Sequence, residues 1–153
     1  QVVCVIVFAF VSVCCGSDMA VQEESPLEHT AAGMVVRGND MLTTDSFVKA
    51  GWKKSKQYDT DTVPQSTEIW YGFYQQKDIE IRFYNNHQDA VEFGIPAAES
   101  SIEGAVKRSR GGKLLDISGG SFSGYADYIV AGNTVLLCEF DRTRCEELIS
   151  NIE

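Results

Sequence analysis

The clearest alternation of apolar and polar residues lies between Thr67 and Gly94, in the run TEIWYGFYQQKDIEIRFYNNHQDAVEFG. Apolar side chains recur at every second position on both sides of a polar QQKD segment, which predicts two antiparallel strands joined by a short turn. Asn86 suits the N-cap of a following helix, because its side chain can accept a hydrogen bond from a first-turn N–H. Gly94 suits the position just past the end of that helix.

A second strand pair with a following helix is predicted near the end of the chain. The run YADYIVAGNTVLLCEF, residues 125–140, contains Gly132-Asn133, two residues that tolerate positive φ in a tight turn. Helical spacing beyond this run places four apolar side chains on one face: Cys145, Leu148, Ile149 and Ile152.

These patterns together predict an α+β domain over residues 33–153. Further helices are expected over 44–52 and 97–108, with a short strand at Met34–Arg37 and an optional edge strand within 53–64. We expect an antiparallel sheet of about four strands with helices packed on one face. Because a strand pair precedes a helix twice, a duplicated ββα or ferredoxin-like arrangement is one option.

The segment before this domain has a different composition. Val2–Cys15 carries no charged residue and is mostly Val, Ile, Phe and Cys. A membrane-spanning helix needs about 20 apolar residues, so this shorter run is typical of the hydrophobic core of a secretory signal. Its end resembles a bacterial lipobox in which Cys15, or alternatively Cys14, is acylated. A plain signal or anchor and a buried strand are the other interpretations.

Residues 16–32 are polar and acidic and contain one proline, which is typical of a tether between residues 1–15 and the folded domain. Export would change how Cys138 and Cys145 are interpreted. With six residues between them they form no CxxC motif, so redox and zinc-knuckle chemistry are not indicated. In an oxidising compartment we expect a disulfide between them, and two buried free thiols are the alternative.

Charge and residue spacing disfavour several functional classes. A formal net charge of −9 opposes binding to nucleic acid or to anionic membrane surfaces. His29 and His87 lack the spacing of a metal site, so no metal and no cofactor are expected. Glu80 and Asp89 are the nearest approach to a carboxylate pair, and nothing in their spacing brings them together, so we expect solvent-facing acids.

The aromatic residues of the first strand offer the one candidate binding surface. Alternation places Trp70 and Tyr74 on the strand face opposite Ile69 and Tyr71. If that face is open to solvent, an aromatic strip there could bind a sugar, a peptide or a protein partner. If helices cover both faces, the same rings belong to the core.

Several of these segments, taken in chain order, resemble those of a known family. An export segment ending in cysteine precedes a helix ending AGW, then WYGFY, DIEIRFY, HQDAVEFG and YIVAGNTVLLCE with a second cysteine in a short helix. From Leu42 onward the chain resembles small bacterial exported lipoproteins of uncharacterised function. The resemblance implies a structural framework and no catalytic residues.

The sequence therefore leads us to expect a binding or interaction module rather than an enzyme. It would be extracytoplasmic in the cell envelope, attached to the membrane through the N-terminal segment, with a protein, peptide or glycan as its ligand. A small extracytoplasmic hydrolase or an enzyme inhibitor with a site built from loops is the alternative.

Overall fold

The two strands of the 67–94 run belong to a larger mixed sheet. A computed structural model of the chain describes residues 33–110 and 124–153, and it shows an α+β architecture. The strands are β1 Met34–Val36, β2 Lys53–Tyr58, β3 Glu68–Tyr74, β4 Lys77–Phe83, β5 Tyr125–Ala131 and β6 Thr134–Glu139. The helices are α1 Thr44–Lys49, α2 His87–Asp89, a π-helical segment Ala90–Gly94, α3 Ile95–Arg110 and α4 Thr143–Ser150.

The sheet has six strands in the order β1-β5-β6-β4-β3-β2. Neighbouring strands are antiparallel except β1, which runs parallel to β5. The prediction of about four antiparallel strands is therefore wrong on number and on direction. The short strand expected at Met34–Arg37 and the optional edge strand within 53–64 are both present, at the two edges of the sheet: β1 has three residues, and β2 is lysine-rich and mostly exposed. Lysines at an edge hinder pairing with another chain.

Helices cover both faces of the sheet, which corrects the expectation that they pack on one face. On one face, Phe47 of α1 and Leu148 of α4 join a core cluster with Leu136 of β6. On the opposite face, Ala98 of α3 packs in a second cluster with Leu137 of β6. The helix that follows β3 and β4 and the helix that follows β5 and β6 therefore pack on opposite faces of the sheet. For this reason the arrangement is not ferredoxin-like. Central strands with apolar side chains on both sides require this cover.

The helices predicted at 87–94 and 97–108 are joined into one helical run from His87 to Arg110. Asn86 caps its start, and its side-chain oxygen accepts a hydrogen bond of 2.8 Å from the Asp89 N–H. Gly94 does not end the helix: it is buried in the π-helical segment, and α3 follows directly. Pro96 lacks an N–H for the preceding turn, and a wider π turn before it is one way to accommodate that loss.

The disulfide pair attaches α4 to the central strand β6. Cys138 and Cys145 lie with their sulfurs 2.00 Å apart and their Cα atoms 6.1 Å apart, and both are fully buried. The end of α4 is also held from outside the helix, because Arg37 Nη1 donates to the Ile152 carbonyl at 2.9 Å. No helix in the described ranges is long and apolar enough to cross a membrane.

Three buried tyrosines on the α3 side of the sheet should resist alkaline titration. Burial raises the pKa of Tyr84 to about 12 and, together with a hydrogen bond to the Glu99 carboxylate, raises the pKa of Tyr128 to about 12. Burial also raises the pKa of Tyr125. A phenol whose folded-state pKa lies above the unfolded value near 10 favours folding fully below that pH. This stabilisation is lost as the pH rises through 10 towards 12.

We therefore expect the folded protein to show at most about half of the phenolate absorbance of its six tyrosines near pH 11. The rest should appear in one cooperative step with the loss of far-ultraviolet circular dichroism, because these rings must unfold to ionise. The Tyr128→Phe variant should lose part of the amplitude of that step. Complete ionisation while the circular dichroism is still native would contradict the burial of these rings.

Candidate functional site

A cavity of about 490 Å³ lies between the loop connecting β2 to β3 and the helical run that follows β4. This volume is within the range of pockets that hold small organic ligands. Its walls come from the loop, from β4, from the π-helical segment and from the first turns of α3. The lining residues are Thr62, Val63, Pro64, Arg82, Glu92, Phe93, Pro96, Ala97, Ser100 and Ser101.

The helical wall of the cavity is irregular at the point where the π-helical segment meets α3. Glu92 and Phe93 belong to the π-helical segment, and Pro96 follows in the first turn of α3. Because a proline has no N–H, a carbonyl of the preceding turn loses its usual helical donor. Single π turns within α-helices are frequent at functional sites. This wall therefore presents apolar surface from Phe93 and Pro96 at the point where the helix changes from π to α winding.

The opposite wall is a loop held by its own turns. The Val63 N–H donates to the Thr60 carbonyl at 3.0 Å, and the Val63 carbonyl accepts from the Ser66 hydroxyl at 2.8 Å. Val63 itself is buried and packs in the cluster beneath α3. These contacts fix Val63 and Pro64 as an apolar wall facing the helix, so this side of the cavity is pre-formed.

Arg82 is the charged residue at the base of the cavity, and it is only 5% exposed. Its Nε donates to Glu80 Oε1 at 2.8 Å, and its Nη2 donates to Ser101 Oγ at 3.0 Å. The Ser101 hydroxyl in turn donates to the Ala97 carbonyl at 2.8 Å, which fixes the hydroxyl as an acceptor for Arg82. Within the described ranges, Nη1 is buried and has no hydrogen-bond acceptor.

The charges around the cavity do not balance. Glu80 is 9% exposed and its carboxylate neutralises the Arg82 guanidinium, so the expectation of a solvent-facing acid at Glu80 is wrong. Glu92 also lines the cavity, is exposed, and has no ion-pair partner in the part of the chain that the structure describes. The lining therefore has one guanidinium, which Glu80 neutralises, and one carboxylate, Glu92, without a described counter-charge.

The aromatic pair singled out from the sequence does not form an open strip. Tyr74 is 6% exposed, and its hydroxyl accepts a hydrogen bond of 2.8 Å from Asn151 Nδ2 at the end of α4. Trp70 is half-buried; its Nε1 donates to Glu68 at 2.8 Å, and the Lys54 amine lies 4.3 Å from its ring centroid. The face bearing both rings is the one covered by α1 and α4.

The other residues singled out from the sequence lie apart from the cavity. Cys138 and Cys145 are paired on the opposite face, and Cys14, Cys15 and the 1–32 segment lie outside the described residues. His87 Nδ1 is 2.7 Å from the Gly132 carbonyl, which gives this imidazole a structural role. No group of three or more His, Cys, Asp and Glu side chains within 33–110 and 124–153 could hold a metal ion.

Sequence reasoning missed Arg82 and the π-helical segment. Arg82 occupies the polar face of an alternating strand, which is the usual pattern of a solvated surface. One signal was available: Arg82 alternates with Glu80 on a strand whose neighbours, Leu137 and Val135, are apolar on the same face. Charges of opposite sign beside such neighbours are compatible with a buried pair. Pro96 directly after a helical pattern was the second signal.

Comparison with known proteins adds one family and no activity. The model of a family of unknown function (DUF6810) matches residues 43–115, just under half of the chain. The matched range contains every residue that lines the cavity. No curated protein matches the chain. No solved structure matches it either. These findings agree with the expected likeness to uncharacterised proteins.

Proposed function

We propose that this protein is a binding module that holds a small organic ligand in the cavity between the β2–β3 loop and α3. The observation that carries the proposal is Arg82, whose Nη1 is buried beside a 490 Å³ cavity without an acceptor among the described residues. Leaving a buried donor unpaired costs about 1–3 kcal/mol. Nη1 itself is closed to solvent, so a ligand acceptor would remove that cost by drawing the guanidinium towards the cavity.

The geometry of Arg82 indicates which ligand group it would bind. Nε is committed to Glu80 and one Nη2 hydrogen to Ser101, so both hydrogens of Nη1 and the second of Nη2 are left. These hydrogens lie in the plane of the guanidinium, where a carboxylate or an amide carbonyl can accept them. Val63, Pro64 and Phe93 supply apolar contacts for the rest of the ligand.

The proposal includes an extracytoplasmic location and attachment to the membrane through the N-terminal segment. The apolar run Val2–Cys15 supports export, with Cys15 or Cys14 as the candidate for acylation. The Cys138–Cys145 pair supports it weakly, because disulfides persist mainly in oxidising compartments. The partner of this attachment is the membrane, and the ligand of the folded domain is a separate small molecule.

The binding proposal can be tested with hexanamide, a neutral probe that has a carbonyl acceptor and an apolar body. Titration followed by two-dimensional NMR should shift the Arg82 Nε–H and the amides around Ser101. Ser100 lines the cavity from an exposed position of α3, so Ser100→Trp should fill the cavity and abolish these shifts. Lys49→Trp, which adds similar bulk at an exposed position of α1 away from the cavity, should leave them unchanged.

Circular dichroism of both variants separates loss of binding from loss of folding. Shifts that are scattered over the surface, or that persist in a folded Ser100→Trp variant, would contradict a ligand site in this cavity.

A further inference from the structure

The cavity is lined by one cation, Arg82, and one carboxylate, Glu92, and their different surroundings limit the ligands that it can accept. The Arg82 charge is already neutralised by Glu80 through a buried contact of 2.8 Å. Glu92 then remains as an exposed carboxylate on the cavity wall, with no ion-pair partner in the described part of the chain. A ligand that carries only a negative charge would approach Glu92 without compensation, and like charges oppose each other.

Arg82 nevertheless requires an acceptor, and the strongest acceptors for a guanidinium are carboxylate oxygens. A ligand that brings one carboxylate and one positive charge satisfies both residues. Its carboxylate binds Arg82 once the guanidinium has moved towards the cavity, and its cation meets Glu92 at the exposed position. Val63, Pro64, Phe93 and Pro96 provide apolar surface in the same lining for the body of the ligand.

We propose, as a step that rests on the proposed function, that the ligand is an elongated zwitterion with a carboxylate at one end and a protonated amine at the other. Its apolar body lies between the β2–β3 loop and the π-helical segment. Arg82 binds the carboxylate, and Glu92 selects for the amine.

The position of Glu92 supports a selective rather than a structural role. It lies in the π-helical segment between two buried residues, Ala90 and Gly94, yet its own side chain is exposed at the cavity. The side chain makes no described hydrogen bond or ion pair that would stabilise the fold. Replacing it should therefore change ligand preference with little effect on folding.

The test compares three kinds of probe by isothermal titration calorimetry: hexanoate, hexylamine, and ω-amino acids of increasing length from aminobutyrate to aminooctanoate. In the unaltered protein, one member of the ω-amino acid series should bind more tightly than either single-charge probe. A partly exposed ion pair contributes about 0.2–1 kcal/mol, so Glu92→Gln should weaken binding of that member by about 1.4-fold to fivefold. The same variant should strengthen binding of hexanoate.

Asp45→Asn provides a matched control, because it removes one carboxylate at an exposed position of α1, away from the cavity. It should leave all affinities unchanged, which separates the local role of Glu92 from the effect of net charge. Equal or tighter binding of hexanoate in the unaltered protein, or no response to Glu92→Gln, would overturn the zwitterion proposal. If hexanamide still binds in that case, the proposed function stands; if no probe binds at all, both proposals fail.

Discussion

Replacement of Arg82 by methionine is expected to lower the free energy of unfolding by about 3–5 kcal/mol. The guanidinium is only 5% exposed and its Nε donates to Glu80 Oε1 at 2.8 Å, so the variant leaves the Glu80 carboxylate buried without a counter-charge. Restoring the solvation of that carboxylate requires local opening of the structure. Glu80→Gln should also be destabilising, because the charge left on Arg82 is then unpaired.

A double replacement separates the cost of an unpaired charge from the value of the ion pair. In Glu80→Leu/Arg82→Met both charges are absent and apolar groups of similar size fill the space. Such replacements of buried ion pairs are often neutral or stabilising, so most of the lost stability should return. The coupling energy from urea denaturation of the single and double variants measures this recovery.

Arg144→Met is the matched control, because Arg144 pairs with Glu147 while about 40% of its side chain is exposed. An exposed pair of this kind contributes at most about 1 kcal/mol. The free energy of unfolding of this variant should therefore be close to that of the unaltered protein. If Arg82→Met lowered the free energy of unfolding as little as Arg144→Met does, the Arg82–Glu80 pair would have to be hydrated rather than buried. The binding proposal would then lose its main support.

The local elements of this fold could be predicted from sequence because their signals lie within a few residues. The β3–β4 hairpin follows from period-two alternation, and the Asn86 cap follows from its place before an apolar helical pattern. The disulfide was expected only on the condition of export, and the helical face of Cys145 made it compatible with Cys138. Each of these signals is independent of how the elements pack.

The global arrangement could not be predicted, because packing decides it. The strands β1 and β2 are held by their neighbours rather than by their own hydrophobic pattern. Helices were expected to end at Gly94 and to restart after Pro96, but the buried surface below them favours one continuous run. The cavity was missed for the same reason, since a charged residue on a strand face is buried only once α3 covers it.

Replacement of Gly72 by alanine is expected to be the most damaging small change in the sheet. Gly72 lies in β3 on the face covered by α1, between Trp70 and Tyr74. A Cβ atom there would lie 2.4 Å from the Lys53 carbonyl oxygen and 2.6 Å from the ring of Trp52. The carbonyl belongs to the neighbouring edge strand β2, so it cannot retreat without disturbing the pairing of β2 with β3.

The expected loss is about 3 kcal/mol or more, at the upper end of what overpacking costs, because a backbone atom and a fully buried ring are both displaced. Thermal and urea denaturation would measure it. Gly38→Ala is the control, since the nearest atom to its added Cβ is His87 Nε2 at 3.2 Å, a longer contact than those at Gly72 and one with a side chain rather than backbone. The free energy of unfolding of that variant should stay within about 1 kcal/mol of that of the unaltered protein.

A second variant, Gly72→Ala with Trp52→Phe, distinguishes the two contacts. Trp52 Nε1 is buried without an acceptor among the described residues, so phenylalanine loses no hydrogen bond there. The smaller ring removes the contact at 2.6 Å, but the contact with the Lys53 carbonyl remains. Recovery should therefore be partial. Full recovery would show that the ring alone excludes a side chain at Gly72, and no recovery would assign the exclusion to the backbone of β2.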